Sequence, residues 1–416
     1  MKAKRLSKED FSRRDFIKAT AAGAGVAAIA GLSGREAMAA GIPKKWDKET
    51  DVVVLGCGGA GTTAAIAAHD AGAKVIVVEK APEGGGNSRV GGAQFTYSTP
   101  EKKDNAAKYL YYACNGTTPM DVCQAWADEM VYNREWLDKM GVANTTFGRK
   151  LEDGSLSGGD YPQFPGSDGV GTAIMTGWGM AWYKVIEKQM KDRGIEIMLN
   201  SPANELIQDC TTKDIVGVKI NSGGKEIFIK ARKGVILCTG GFEFNEEMKK
   251  NYLRPTTIKF TGWKYNTGDG IKMAQKVGAD LWHMNLIASA SAAIETPPMP
   301  MAWMYPSTKA HGYIWVNKYG ERFLIESRRG PWEAPHKSFM GMVMWDWRRD
   351  RKDPEYPLAP HYLIFDEITR KAGPIAGFEG MANQITPKRL GGNASEWGAA
   401  DGCWSQDNSV EIEKGW

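Results

Sequence analysis

The stretch Asp51–Gly61, DVVVLGCGGAG, constrains this chain more than any other. Val52–Leu55 is a continuous apolar run, the pattern of a strand buried on both faces. Gly56, Gly58 and Gly61 follow in GxGxxG spacing. The first glycine allows a tight turn, the second lets backbone approach a pyrophosphate, and the third lets the next helix pack close to the sheet. A helix starting near Gly59 would aim the N–H groups of Gly59, Ala60 and Gly61, with the positive end of its dipole, at phosphates. Lys74–Val78 reads as a second buried strand, and Glu79 stands at its end with Lys80 behind it. A carboxylate about 20 residues past the glycines can accept both ribose hydroxyls of an adenosine. Strand, turn, helix, strand and acid in this order specify a dinucleotide site on an α/β fold.

The chain has 416 residues, enough for two domains. Its 53 basic and 49 acidic residues leave a charge of +4, too mild for a nucleic-acid partner. No apolar run reaches the ~18 residues of a membrane span. Ser12-Arg13-Arg14-Asp15-Phe16-Ile17-Lys18 resembles a twin-arginine export signal. A mild Ala/Gly run, Ala19–Leu32, follows it, and Ala37-Met38-Ala39 offers a cleavage site. Residues 1–39 therefore read as a signal peptide that engages the twin-arginine machinery, and the protein is expected in the periplasm, exported folded with its cofactor. The six cysteines (Cys57, Cys114, Cys123, Cys210, Cys238, Cys403) form no CxxC pair. That excludes a haem attachment site, an obvious iron–sulfur set and a zinc ribbon.

Further along, Glu83–Gly92 is a glycine-rich loop, and Pro119–Met140 reads as one amphipathic helix. Leu151–Gly171 reads as a surface loop and Thr172–Arg193 as a helix ending at Gly194. Glu196–Leu199, Asn204–Gln208, Ile215–Ile220 and Glu226–Ala231 read as a small antiparallel β-meander, and Gly234–Cys238 as another buried strand. Composition changes near residue 281, where Met, Trp and Pro become frequent, and a domain boundary is placed near Ile287. Aromatic side chains on proline-broken loops commonly line clefts.

Five motifs in order support a family resemblance: GCGGAG with Glu79, the GGGNSRVGG loop, ARKGVILCTGGFEFN, NTGDGIKMAQKVGADL and WVNKYGERFLIES. Over roughly Asp51–Trp416 the chain resembles the flavoproteins that include fumarate reductase and succinate dehydrogenase flavin subunits and the 3-ketosteroid dehydrogenases. The resemblance implies an α/β fold: a Rossmann-like FAD-binding domain (46–287) carrying the β-meander, and an α+β capping domain (288–416). It also implies that the family's C-terminal return to the FAD domain is missing here, so that the chain is expected to be a fragment. Gly86, Asn87, Ser88 and Gly92 would lie against the isoalloxazine, Ala203 would offer backbone to the adenine, and Thr239 and Gly240 would close over the adenosine. Asp269 would sit near the cofactor, or would cap the helix that begins near Gly270. With no histidine in the loop before Gly91-Gly92, the FAD is expected to be non-covalent.

By the same resemblance, an arginine after the GERF segment delivers a proton to a small-molecule substrate, which points to Arg329 and to Arg328. A family histidine and the acidic–arginine proton relay have no counterpart, which argues against fumarate itself. The implied activity is hydride transfer between flavin and an activated C–C bond, with reduction of an α,β-unsaturated acid or ketone favoured. An external electron-transfer partner, a cytochrome or quinol-linked protein, would be needed. A ketosteroid-type enzyme would use tyrosines instead, Tyr313 or Tyr319, and a non-catalytic flavin-binding electron carrier is a third reading.

Overall fold

The computed structural model describes residues 42–147, 149–150, 156–157, 163–253, 260, 262–285, 293–296, 299–303, 312–323, 361–373, 375 and 408–414. In chain order the strands are β1 (Lys48–Leu55), β2 (Val75–Val78), β3 (Gln94–Tyr97), β4 (Asn144–Phe147), the short pair β5 (Arg149–Lys150) and β6 (Leu156–Ser157), β7 (Gly171–Met175), β8 (Glu196–Met198), β9 (Ala203–Gln208), β10 (Ile215–Ser222) and β11 (Lys225–Leu237). The helices over the same span are α1 (Gly59–Asp70), α2 (Gly86–Val90), α3 (Lys103–Ala113), α4 (Met120–Met130), α5 (Asn133–Lys139), α6 (Trp178–Asp192), α7 (Glu246–Tyr252) and α8 (Asp269–Lys276).

A six-stranded sheet in the order β8-β2-β1-β11-β10-β9 organises the fold. β1 runs parallel to both β2 and β11, while β10 pairs antiparallel with β9 and β11. The apolar run of β1 is continuous because the two faces of the sheet bury alternate residues. Val54 and Val77 meet Ile66 of α1 and Ile186 and Met190 of α6 on one side. Val53, Leu55, Ile76 and Val78 meet Leu206, Val218, Ile229 and Met273 on the other. Each such side chain contributes about 1.5–3 kcal/mol on burial, so both layers hold the end of β1 in place.

Four local expectations are corrected. First, β8 does not belong to the meander: it pairs parallel with β2, through Ile76–Glu196 and Val78–Met198. A parallel pairing needs a crossover element, and α6 supplies it. Second, Glu226–Ala231 and Gly234–Cys238 belong to one 13-residue strand, β11. Arg232, at the point where a break was expected, instead reaches across to β1, 2.9 Å from Asp51 and 3.2 Å from Glu49. The second half of that strand is not fully buried, with Ile236 36% and Leu237 39% exposed. The pairing with β10 ends at Lys230, so from there on β11 has only β1 beside it among the described residues.

Third, Pro119–Met140 is two helices, α4 and α5. Asn133 turns its amide onto the Thr96 carbonyl of β3 at 2.8 Å, which anchors the start of α5. Fourth, Thr172–Met175 is a strand, the centre of a second sheet ordered β3-β7-β4. Gly177, with φ of 79°, then makes a left-handed turn into α6, so the helix starts later than its apolar pattern suggests.

C-terminal to α8, the described segments include a hairpin, β12 (Ala293–Thr296) with β13 (Met299–Trp303), and a pair, β14 (Tyr313–Asn317) with β15 (His361–Phe365). Helix α9 (Glu367–Ala372) is capped by Asp366, which accepts from the Thr369 N–H at 2.7 Å. Among the described residues no helix is long and apolar enough to cross a membrane.

Candidate functional site

The glycines after β1 are required for different reasons. At Gly56 φ is +102°, and a β-carbon would stand 2.2 Å from the Cys238 carbonyl oxygen. At Gly61 it would stand 1.9 Å from the Gly56 carbonyl oxygen. Both clashes are with backbone, so these two glycines close the β1–α1 turn against β11. At Gly58 the nearest atoms would be 3.8 and 3.9 Å away, an ordinary contact. The protein itself therefore does not demand glycine at this position. Its α-carbon faces open space instead.

That open space is a cavity of about 590 Å³, within the range of ligand sites. The N-terminus of α1 faces it through Gly58, Gly59 and Ala60, and no side chain caps that end. Uncapped N–H groups and the helix dipole make an anion site. Gly61 is buried beneath the turn and is not part of the lining.

Glu79 lines the cavity yet is only 7% exposed. One carboxylate oxygen accepts from the Cys57 N–H and the other from the Ala81 N–H, both at 2.8 Å. Each oxygen keeps a second lone pair, so the carboxylate is fixed in orientation and still able to accept a hydroxyl. Cys57 is sealed beneath it, and burial above all pushes its thiol up to about 12. A neutral, enclosed thiol is inert filling.

Next to Glu79, the Lys80 ammonium donates to Thr267 Oγ1 and to Asp269 Oδ2, both at 2.6 Å. Of the two roles left open for Asp269, capping is not the one observed: the cap position of α8 is Gly268, with no side-chain cap, and Asp269 faces Lys80 and Thr267. Gly270 lets α8 pack on Thr239, since a β-carbon there would meet Thr239 Oγ1 at 2.0 Å. Thr239 and Gly240, just past β11, line the cavity, as do Ala203 at the start of β9 and Gly86, Asn87 and Ser88 of α2. Gly92 is not in the lining; a β-carbon there would lie 3.9 Å from the Trp178 ring. Arg328 and Arg329 lie outside the described residues.

Sequence reasoning missed Trp263, Tyr265, Asn266 and Met273, which also line the cavity. Trp282 and Met284 of the Met/Trp-rich region do so too. The signal for Trp263, Tyr265 and Asn266 was the GWKYN run before TGDG, where aromatic and amide residues precede a helix start.

The cavity over Gly58, the uncapped helix end and the pre-oriented carboxylate are the parts of a dinucleotide-binding site, and the donor set fits FAD. Residues 51–374 match the FAD binding domain family, and the chain belongs to it. Residues 10–30 match the twin-arginine translocation signal, which marks the protein for export to the periplasm through that machinery. A probable fumarate reductase of Shewanella frigidimarina is 28% identical over 67% of this chain and 46% of its own length. A 3-oxosteroid 1-dehydrogenase of Mycolicibacterium smegmatis is 29% identical over 80% of this chain and 70% of the relative. The chain thus spans about half the length of that fumarate reductase. The fold is shared with a 3-ketosteroid delta1-dehydrogenase from Sterolibacterium denitrificans, at TM-score 0.68 and 23% identity, covering 83% of this chain and 73% of that one.

Proposed function

We propose that the protein is a periplasmic FAD-dependent oxidoreductase that transfers a hydride between flavin and a carbon of an activated C–C bond. Reduction of an α,β-unsaturated acid or ketone is the favoured direction. The observation that carries the cofactor role is the contrast between Gly58, open to the cavity, and Gly56 and Gly61, closed by backbone. The relatives named as a fumarate reductase and a 3-oxosteroid dehydrogenase support the chemistry.

Bound FAD supplies the two-electron hydride chemistry. The chain's own residues hold and orient it: α1 N–H groups at the pyrophosphate, Glu79 at the adenosine ribose, Ala203, Thr239 and Gly240 around the adenosine, and Asp269 with Lys80 closing that end. Gly86, Asn87 and Ser88 are assigned to the flavin end, with Gly92 behind them against Trp178. The FAD is held without a covalent bond. Residues 46–287 form the FAD domain, and 288–416 belong to a capping domain that positions substrate and excludes water. Arg329, or Arg328 beside it, delivers the proton to the substrate carbon. Electrons arrive from a separate cytochrome or quinol-linked protein.

A second reading is favoured by one observation: the 3-oxosteroid dehydrogenase is covered over 70% of its length, against 46% for the fumarate reductase. In that reading the substrate is a steroid-like ketone, and Tyr313 or Tyr319 handles the proton. The test is to assay the flavin-loaded, full-length protein in two ways. One uses a reduced viologen with short unsaturated carboxylates; the other uses a dye acceptor with a 3-ketosteroid. Turnover of a carboxylate alone supports the first reading, and turnover of the steroid alone supports the second. No turnover of either class overturns both and leaves a flavin-binding carrier.

A further inference from the structure

In the cavity wall, two asparagines from separate segments meet on one carboxylate. Asn87 Nδ2 of α2 donates to Glu243 Oε1 at 3.0 Å, and Asn266 Nδ2 donates to the same oxygen at 3.3 Å. The other end of the Asn87 amide accepts from the Trp263 backbone N–H at 2.6 Å. Asn87, Asn266 and Trp263 line the cavity, whereas Glu243 stands one hydrogen bond behind them.

Glycines make room for this cluster. A β-carbon at Gly241 would lie 2.7 Å from Glu243 Oε2, one at Gly262 would lie 2.6 Å from Asn87 Oδ1, and one at Gly240 would lie 2.6 Å from Asn266 Oδ1. Glu243 Oε2 is sealed from solvent with no hydrogen-bond partner among the described residues. None of the described ion pairs involves Glu243. An enclosed carboxylate oxygen without a counter-charge is costly. If the cluster served only to tie loops together, a neutral amide would do so at lower cost.

We infer that Glu243 is a positioning and tuning residue for the flavin: through Asn87 and Asn266 it fixes the cavity wall, and its uncompensated charge holds the flavin potential down. The inference rests on the FAD site described above. In the proposed site Asn87 belongs to the flavin end, so the ring system lies on the side that Glu243 braces. Reduction adds electrons to that ring. A nearby fixed negative charge opposes their arrival. The consequence is a stronger hydride donor, suited to reducing an activated double bond.

The test uses flavin-loaded full-length protein and the variants Glu243→Gln and Glu243→Asp, with the FAD midpoint potential measured beside FAD occupancy and the melting temperature. Glutamine keeps an acceptor for both asparagine amides but removes the charge; aspartate keeps the charge on a shorter arm. The expected result is a positive shift in Glu243→Gln at wild-type occupancy, with Glu243→Asp staying nearer wild type. Equal potentials in all three proteins, or an equal shift in both variants, would overturn the tuning role. Loss of flavin from Glu243→Gln with retention in Glu243→Asp would also overturn it, making the carboxylate a structural tie. A wild-type protein without flavin would instead contradict the FAD site itself.

Discussion

Gly58→Ala separates the needs of the cofactor from the needs of the fold. The new β-carbon would lie 3.8 Å from Gly85 O and 3.9 Å from the Gly86 α-carbon, with no closer protein atom. The backbone at this position, φ −80° and ψ −168°, suits any L-residue. Replacing a glycine at a helix N-cap by alanine costs at most about 1 kcal/mol, so the apoprotein should keep its fold and nearly all of its melting temperature. Flavin binding should suffer, because the methyl stands where the pyrophosphate approaches. Forcing a methyl-sized group into a packed contact costs about 1–3 kcal/mol, a loss of roughly 5- to 150-fold in FAD affinity. Gly61→Ala is the control, since its β-carbon would fall 1.9 Å from Gly56 O and must disturb the turn itself. Apoprotein titrated with FAD by fluorescence, together with thermal melts of the same samples, reads both effects. Wild-type FAD affinity in Gly58→Ala, or a melting loss as large as that of Gly61→Ala, would refute the reasoning.

Changing Arg13 and Arg14 together to lysine should leave unprocessed precursor in the cytoplasm, and unchanged periplasmic recovery would count against the twin-arginine route. Arg329→Ala should lower turnover by about a hundredfold or more with flavin content unchanged; near-normal rates in both Arg329→Ala and Arg328→Ala would shift the proton donor to a tyrosine. Asp70, hydrogen-bonded to Arg193 at 2.7 and 3.0 Å, is held down to about 2 chiefly by that guanidinium. A depressed carboxylate stabilises the fold above its unfolded pKa of about 3.9 and loses that contribution as pH falls toward 2. Wild-type unfolding free energy should therefore drop more steeply than that of Asp70→Asn between about pH 4 and 2, and the exposed pair makes the difference small. Parallel curves from denaturant melts would show that the pair carries none of the acid sensitivity.

What could be read from the residues was whatever depends on neighbours in the chain. The β1 strand, its glycine turn, α1, β2 and Glu79 follow from a run of about 30 residues in which each step sets the next. The readings that failed needed information from distant segments. Thr172–Met175 is a short apolar stretch that periodicity alone cannot divide between helix and strand, and its two strand neighbours, β3 and β4, decide the matter. Arg232 looked like part of a loop because its partners Asp51 and Glu49 lie far back in the chain on β1. The same holds at the site. The Lys80–Asp269 pair joins residues 189 apart, and the Asn87–Glu243 contact joins residues 156 apart. No local pattern announces such pairs, whereas the glycine spacing does announce the cavity they enclose.

Acid precipitation of the full-length protein, purified from its own export pathway, tests the central claim most directly. The site built on Gly58, the α1 N-terminus and Glu79 predicts about one FAD per chain, released to a yellow supernatant and identified by its absorbance and mass. Flavin retained in the pellet would contradict the non-covalent site. Protein that carries no flavin and takes none up on reconstitution would contradict the FAD assignment itself.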